Sequence, residues 1–282
     1  MTFSIVARSA DGSALGVAVA SKFLAAGAAV PAAEADVGAV ATQSYANLAY
    51  RPQALALMRT GMSATDAVTA LLAPDGMRDH RQVGVVGATG DGACFTGAAC
   101  HDWAGGEAGD GFAVQGNMLA GPQVIAALRD TWLAGADQPR LAYRLLAALR
   151  AGDAAGGDRR GRQSAALLVV AKAMGYGGTS DVLVDLRVDD HPDPLTEMAR
   201  LLEMHTLYFE RPDPATLLPL DGEVGAEVRE RLAAAGHPAG AGPAELDEAL
   251  ASWAGIENLE ERIVAGHIDP LVLDQLRGAR SG

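Results

Sequence analysis

Four strand-like runs precede the first long helix of this chain, and that order limits the fold more than any other feature. Phe3 to Arg8 reads as a buried strand, Asp11-Gly12 supplies a turn, and Leu15 to Ala20 reads as the returning strand. DG between two apolar runs is a hairpin signal. Ala28 to Val30 and Val37 to Gln43 read as a second pair, with Pro31 confining the first of them to an end or edge position. Strands this close in sequence pair antiparallel, because parallel neighbours need a crossover of about a dozen residues or more. A doubly wound parallel sheet is disfavoured on that ground.

Helices come in separate blocks. Pro52 opens one and Gly61 closes it. Ser63 caps the next, with Asp66 at the capping-box position, and Ala67, Val68, Leu71 and Leu72 keep a helical period. Strands return over Gln82–Gly87, Ala93–Gly97 and Gly111–Gly116. Gly121-Pro122 and Gln138 start two further helices, SAALLVVA (164–171) and VLVDLRV (182–188) read as strands, and Pro192 opens a helix to about Met204. Each strand must hide an apolar face, and helices in blocks suit layers outside the sheets. The expectation is an α+β fold, a four-layer αββα sandwich.

Composition shifts at FERPDPATLLPLDGE (209–223), which carries Pro212, Pro214 and Pro219. The expected organisation is a sandwich domain over 1–208, a linker over 209–222 and a small all-α domain over 223–282. Its helices span about Val224 to Ala235, follow Gly242-Pro243 and follow Asp269-Pro270. A piece of about sixty residues folds only marginally alone, so docking on the main domain or on a partner subunit is expected.

The bulk numbers exclude several classes. Apolar residues make up 49 % of 282 and charged residues 20 %, a globular balance. A net charge of −13 argues against nucleic acid as a partner, since phosphate contacts need a basic face. Cys94 and Cys100 make no disulfide framework and fit a reducing cytosol. No basic segment followed by an apolar one opens the chain, and Lys22 interrupts the apolar stretch from Leu15 to Val30, so a cytoplasmic protein without a membrane span is expected. No metal or other cofactor is expected. GxxxxGK[ST] is missing, His101-Asp102 and the two cysteines are too sparse for zinc, and the consecutive side chains of VDDHPDP (188–194) diverge, leaving Asp190 as a helix cap.

TFSIVA, LGVAVASKF, VGAVATQSYAN, FAVQGNMLAG and GGDRRGRQSAALLVV, in that order over roughly 2–207, resemble a bacterial family of unknown function. Its members are classed as similar to N-terminal-nucleophile (Ntn) hydrolases, with an αββα fold. LDGEVGAEVRERLAAAG and GIENLEERI resemble a small helical domain described as peptidoglycan-binding. The first resemblance implies an amide-bond hydrolase acting on a small amino-acid- or peptide-like compound.

By that resemblance Thr2 matches the nucleophile. Initiator methionine is trimmed when a small residue follows it, and a terminal threonine then carries a hydroxyl beside a free amine. That amine, with a reference pKa near ~8, takes the hydroxyl proton. With Met1 retained, Thr2 is an ordinary strand residue. Lys22 either supplies positive charge near this strand end or blunts a sheet edge, and Ser21 is a small polar neighbour able to bond the amine. Ala20 and Pro31-Ala32 stand where proteasome-like enzymes carry an acid and a separate lysine, a departure from that pattern.

Gln43, Ser44 and Asn47 gather polar groups after an apolar run, for substrate contact or as a helix cap. In QGNMLAG, Gln115 and Gly116 lead to Asn117, whose amide is a donor for an oxyanion, and Gly116 lets backbone approach a ligand. In GGDRRGRQS, Asp158 and Ser164 fall near the positions that the resemblance assigns to support of the terminal amine, and Arg159 and Arg162 suit a substrate carboxylate. Trp253, among Leu250, Ile256 and Leu259, reads as core rather than as a sugar platform. Two functions stay open: the Ntn-type amidohydrolase, and a non-catalytic binding or oligomerisation protein for cell-wall-derived or other small ligands. A homo-oligomer is expected.

Overall fold

The computed structural model describes residues 2–278. In its first unit every paired strand runs antiparallel to its neighbour, as the early hairpins demand. β1 (Thr2–Arg8) and β2 (Ala14–Ser21) form the opening hairpin. Its turn is tied by the Asp11 carboxylate, which accepts the Ser9 and Ser13 hydroxyls and the Ser13 N–H; these bonds hold the Asp11 pKa down to about 2.

The short helix α1 (Ala26–Ala29) follows, then β3 (Pro31–Glu34) and β4 (Gly38–Gln43). Here the expected strand over Ala28–Val30 is corrected. Those residues lie in and just after α1, and the strand begins at Pro31, the first residue of an edge strand, where proline's missing N–H costs no ladder bond.

Helices α2 (Tyr50–Arg59) and α3 (Ala64–Leu72) precede β5 (Gln82–Gly87) and β6 (Ala93–Thr96). The Ser63 hydroxyl caps α3 by accepting the Asp66 N–H. Two strands come next, β7 (Gly105–Gly109) and β8 (Phe112–Asn117), then helices α4 (Gln123–Ala134) and α5 (Leu141–Ala154), strands β9 (Ser164–Ala171) and β10 (Val182–Val188), and helix α6 (Pro194–Phe209). β7, GGEAG, has no apolar run to announce it.

The strands make a six-stranded sheet, ordered β10-β9-β2-β1-β8-β7, and a four-stranded sheet, ordered β3-β4-β5-β6. Alternation along β1 sorts its side chains between two cores. Phe3, Ile5 and Ala7 pack with Leu128, Trp132, Leu145, Leu149 and Met198 under α4, α5 and α6. Val6 turns to the other face and packs with Val17, Val19, Ala39, Ala41 and Val86 between the sheets. A third core, with Val40, Val83, Tyr50, Ala54 and Leu71, lies under α2 and α3. Helix, sheet, sheet, helix is therefore the layer order, an α+β sandwich. The layer between the sheets is built almost wholly of alanine and valine, whereas the helix-covered faces carry the large side chains. Burying each large aliphatic or aromatic chain there contributes ~1.5–3 kcal/mol.

The chain divides into two compact units between Leu202 and Glu203, and α6 runs through that division. In the second unit, α7 (Gly222–Ala234), α8 (Pro243–Ile256) and α9 (Pro270–Gly278) surround Val228, Leu232, Leu250, Trp253 and Leu276. Trp253 is buried, in line with its sequence neighbours. A two-residue pair, β11 (Leu218–Pro219) with β12 (His267–Ile268), adds strand to a unit that reads as all helix in the sequence. The buried guanidinium of Arg262 pairs with Asp269 and donates to the backbone carbonyls of Thr206 and Leu207 in the last turn of α6. Asp269 also accepts the Leu271 N–H at the start of α9.

Candidate functional site

One end of the layer between the sheets departs from the alanine and valine pattern. Strand register places Ser164 opposite Ser21, Ser21 opposite Thr2 and Thr2 opposite Asn117. Directly paired residues share a face, so four polar side chains form one row across β9, β2, β1 and β8. Parity puts this row on the face of Val6 and Val19, which looks toward the four-stranded sheet. There Gln43, Gln82 and Thr96 are likewise paired across β4, β5 and β6. Ser4 and Gln115, paired with each other, stand one position further in.

The two rows are joined by hydrogen bonds. Thr2 Oγ1 and Ser21 Oγ lie 3.0 Å apart. Gln43 Nε2 donates to the Thr2 carbonyl at 3.2 Å and to Gln82 Oε1 at 2.8 Å. Asn117 Nδ2 donates to the same Gln82 oxygen at 2.9 Å. Gln82 Nε2 donates to the Gly116 carbonyl and to Thr96 Oγ1, both at 2.8 Å. The Ser4 hydroxyl donates to Gln43 Oε1 at 2.7 Å and accepts from Gln115 Nε2 at 2.6 Å. Gln115 Oε1 is buried with no partner among the described residues, against Gly84, where an added Cβ would lie 2.0 Å from it. Thr2 itself is 7 % exposed. The members of both rows are neutral, so the end of the sandwich presents dipoles and hydroxyls rather than charges.

Surrounding groups fix the backbone at this end. Asp158, buried, accepts the Lys22 N–H at 2.7 Å and the Arg160 N–H at 2.9 Å. Ser164 Oγ donates to the Phe23 carbonyl at 2.6 Å and accepts the Ala26 N–H at 3.1 Å. Asp158 and Ser164 thus hold the segment that leaves β2. The Lys22 side chain is exposed, and it is its backbone that is held. Arg159 is exposed, with its N–H on the Met118 carbonyl, while Arg162 is committed to Asp153 through two bonds of 3.0 and 2.9 Å.

Ser44 (φ 55°) and Met118 (φ 50°) directly follow Gln43 and Asn117, and both are non-glycine residues in the left-handed region. Such residues cost of order 1–3 kcal/mol each and cluster at functional sites. Asn47 lies further out, where its amide meets Asp75 at 3.4 Å and its side-chain oxygen accepts the Ala49 N–H. Asp75 also accepts Tyr50 Oη at 2.7 Å and Arg81 Nε at 3.0 Å. Arg81 holds the Asp75 carboxyl well below the ordinary range, and burial, followed by the hydrogen bond to Asp75, pushes the Tyr50 phenol up. Gly116 serves packing as well as register, since a Cβ there would meet Leu119 at 2.6 Å.

Gln82, Ser4 and Thr96 escape the sequence reading. A glutamine opening the apolar run QVGVVG and the alternation Thr2-Phe3-Ser4-Ile5 are the signals that mark them. Among the described residues no group of three His, Cys, Asp or Glu is placed to hold a metal ion, and no helix is long and apolar enough to cross a membrane.

Residues 2–198 match the model of the "Family of unknown function (DUF1028)". The chain belongs to that family. A DUF1028 protein of known structure, SPO2555 from Silicibacter pomeroyi, is 28 % identical, superposes with a TM-score of 0.66 and is matched over 79 % of this chain and 88 % of its own. Outside the DUF1028 region, residues 208–276 match the model of a "Putative peptidoglycan binding domain". No curated protein matches the chain significantly.

Proposed function

We propose that this DUF1028 protein is an amide-bond hydrolase whose nucleophile is Thr2 Oγ1, made N-terminal by removal of Met1. The observation that carries the reading is the 3.0 Å approach of Thr2 Oγ1 to Ser21 Oγ at the first described residue of β1, in one row with Asn117. After trimming, the α-amine and the hydroxyl sit on adjacent atoms of that residue. Oγ1 attacks the acyl carbon of a small amide or peptide-like substrate, and its proton passes to the amine. The amine returns the proton to the departing nitrogen as the C–N bond breaks, leaving an ester on Thr2. Water, activated by the same amine, then releases the acid and restores the hydroxyl.

One N–H of Asn117 is engaged by Gln82, and the second has no acceptor among the described residues. It is the donor assigned to the oxyanion, a type of contact whose removal costs ~10²–10³ in rate. Ser21 holds the hydroxyl, and exposed Arg159 is available for a substrate carboxylate. Arg162, paired with Asp153, takes no part in the chemistry.

Intact mass of protein purified from its native source, with β-lactone labelling, tests this. The expected result is a chain lacking Met1 that gains an adduct at Thr2, with no adduct in Thr2→Val. Met1 retained throughout the folded native protein would overturn it.

A separate binding role for the second unit has its own support. A cavity of about 490 Å³ there is lined by Tyr208, His237, Trp253, Glu257 and Gln275. The half-buried ring of Tyr208 beside the His237 imidazole and the Gln275 amide and Glu257 carboxylate suits a sugar polymer, with the buried Trp253 beneath them. Titration with soluble peptidoglycan fragments, followed by tryptophan fluorescence, should saturate in wild type and weaken at least tenfold in H237A/E257A. Equal binding by both proteins would place the ligand elsewhere.

A further inference from the structure

We infer that Gln82 is the positioning residue for Asn117, and that the backbone of β8 sets the polarity of the whole amide relay at this end of the sandwich. The inference rests on the role given to Asn117 above but concerns a residue of the opposite sheet, buried and unlinked to Thr2 in sequence.

A carbonyl oxygen of the main chain only accepts, and this removes the usual ambiguity of side-chain amides. Gln82 has one amide end 2.8 Å from the Gly116 carbonyl and 3.2 Å from that of Gly105. That end must be Nε2. Its Oε1 is therefore turned to Asn117 and Gln43, at 2.9 and 2.8 Å, and both of these must present nitrogen to it. Gln43 receives the same instruction a second time, because its nitrogen also meets the Thr2 carbonyl at 3.2 Å. With Gln43 nitrogen so placed, its oxygen accepts the Ser4 hydroxyl at 2.7 Å, and Ser4 in turn accepts from Gln115. Each link has one permitted direction.

The consequence falls on Asn117. The two N–H bonds of an amide diverge in its plane, so directing one to Gln82 directs the other away from it. Asn117 flipped would bring two acceptor oxygens together at 2.9 Å and would move its nitrogen, with both N–H bonds, out of the place from which the second N–H is offered to a developing oxyanion. Gln82, Gln43 and Asn117 are each 2 % exposed or less, so water does not compete for these bonds. The row on the six-stranded sheet carries the chemistry, and a glutamine of the four-stranded sheet decides which way its amide points.

Two substitutions and two readouts test this. Gln82→Met keeps the length and shape but neither accepts from Asn117 nor donates to Gly116. Gln82→Glu keeps the acceptor and sets a carboxylate against the Gly116 carbonyl. Thr96→Val, which removes a different partner of Gln82, is the control for a merely structural effect. The first readout is the pair of Asn117 side-chain amide protons by NMR, assigned with Asn117→Asp. They should shift and exchange at least tenfold faster in Gln82→Met, and stay near wild type in Thr96→Val. The second is the rate of Thr2 acylation by a β-lactone, which should fall about 10- to 100-fold in Gln82→Met. The Q82M/N117A double variant should be no slower than N117A alone.

Unchanged Asn117 protons in Gln82→Met, or fully additive losses in the double variant, would overturn the inference. Wild type that takes no adduct at Thr2 would overturn the hydrolase reading instead, and the proton signals would still decide whether Gln82 sets Asn117.

Discussion

The carboxylate of Asp158 accepts the backbone N–H of Lys22 at 2.7 Å, joining residues 136 positions apart and fixing where the chain leaves β2. The neighbour of Lys22 is Ser21, the contact of Thr2, so this bond secures the end of the row that holds the proposed nucleophile. Asp158→Ala leaves the Lys22 and Arg160 amides without their acceptor. A loss of about 2–3 kcal/mol in urea unfolding is expected, with a smaller loss in Asp158→Asn, which keeps an acceptor oxygen. Thr2 labelling should slow in both, in the same order.

Gly84 has no side chain where Gln115 needs room. Gly84→Ala places a methyl 2.0 Å from Gln115 Oε1, at a side chain held by Ser4, so the amide cannot simply swing away. Overpacking of this kind costs ~1–3 kcal/mol. The G84A/Q115A double variant should recover part of that loss, because the clashing group is gone. Chemical denaturation of the two single variants and the double variant measures the coupling.

Breaking the buried pair of the second unit should be costly in one direction only. Arg262→Met strands the Asp269 carboxylate in a buried site and frees the Thr206 and Leu207 carbonyls, for an expected loss of about 3–5 kcal/mol. R262M/D269N leaves no buried charge and should be milder. Hydrogen exchange of the α7–α9 amides in the full chain reports the difference.

Glu227 accepts from Arg277 and from Arg231, and these bonds hold its pKa down to about 2 from an ordinary 4.5. A carboxyl depressed in the folded state adds stability that is fully present above pH 4.5 and is lost as pH falls toward about 2. Wild type should therefore be more stable than Glu227→Gln at neutral pH, with the gap closing across that acid window. Melting curves of both proteins at pH 7, 4.5 and 2.5 check this, and a gap that stays constant with pH would count against the pairing.

Much of the sandwich was legible in the sequence. DG between apolar runs fixed the first hairpin, alternation in TFSIVAR told which side chains share a face, and Ser63 with Asp66 marked the start of α3. These signals are local, set by a dihedral preference, a period or a cap within a few residues. The Ala28–Val30 segment and β7 misled or gave no signal for the same reason. An Ala-rich turn of helix and a glycine-rich edge strand have little local preference, and the neighbouring elements decide their state.

Thr2, Ser21, Asn117, Gln43 and Ser164 could be singled out one by one from their surroundings in the sequence. Their assembly could not, because it depends on register. A shift of one residue in β1 against β2 or β8 would send Thr2 to the helix-covered face and leave the row broken. Gln82 went unnoticed for a related reason. A glutamine at the start of a valine-rich strand looks like a strand end in one dimension, and only the stacking of the second sheet brings it within 2.9 Å of Asn117. By itself the sequence determined the antiparallel order, the faces of each strand and the polar residues at their ends. The tertiary structure alone decided which of those polar ends meet, since hydrogen bonds between sheets are set by layer packing and by backbone carbonyls far away along the chain.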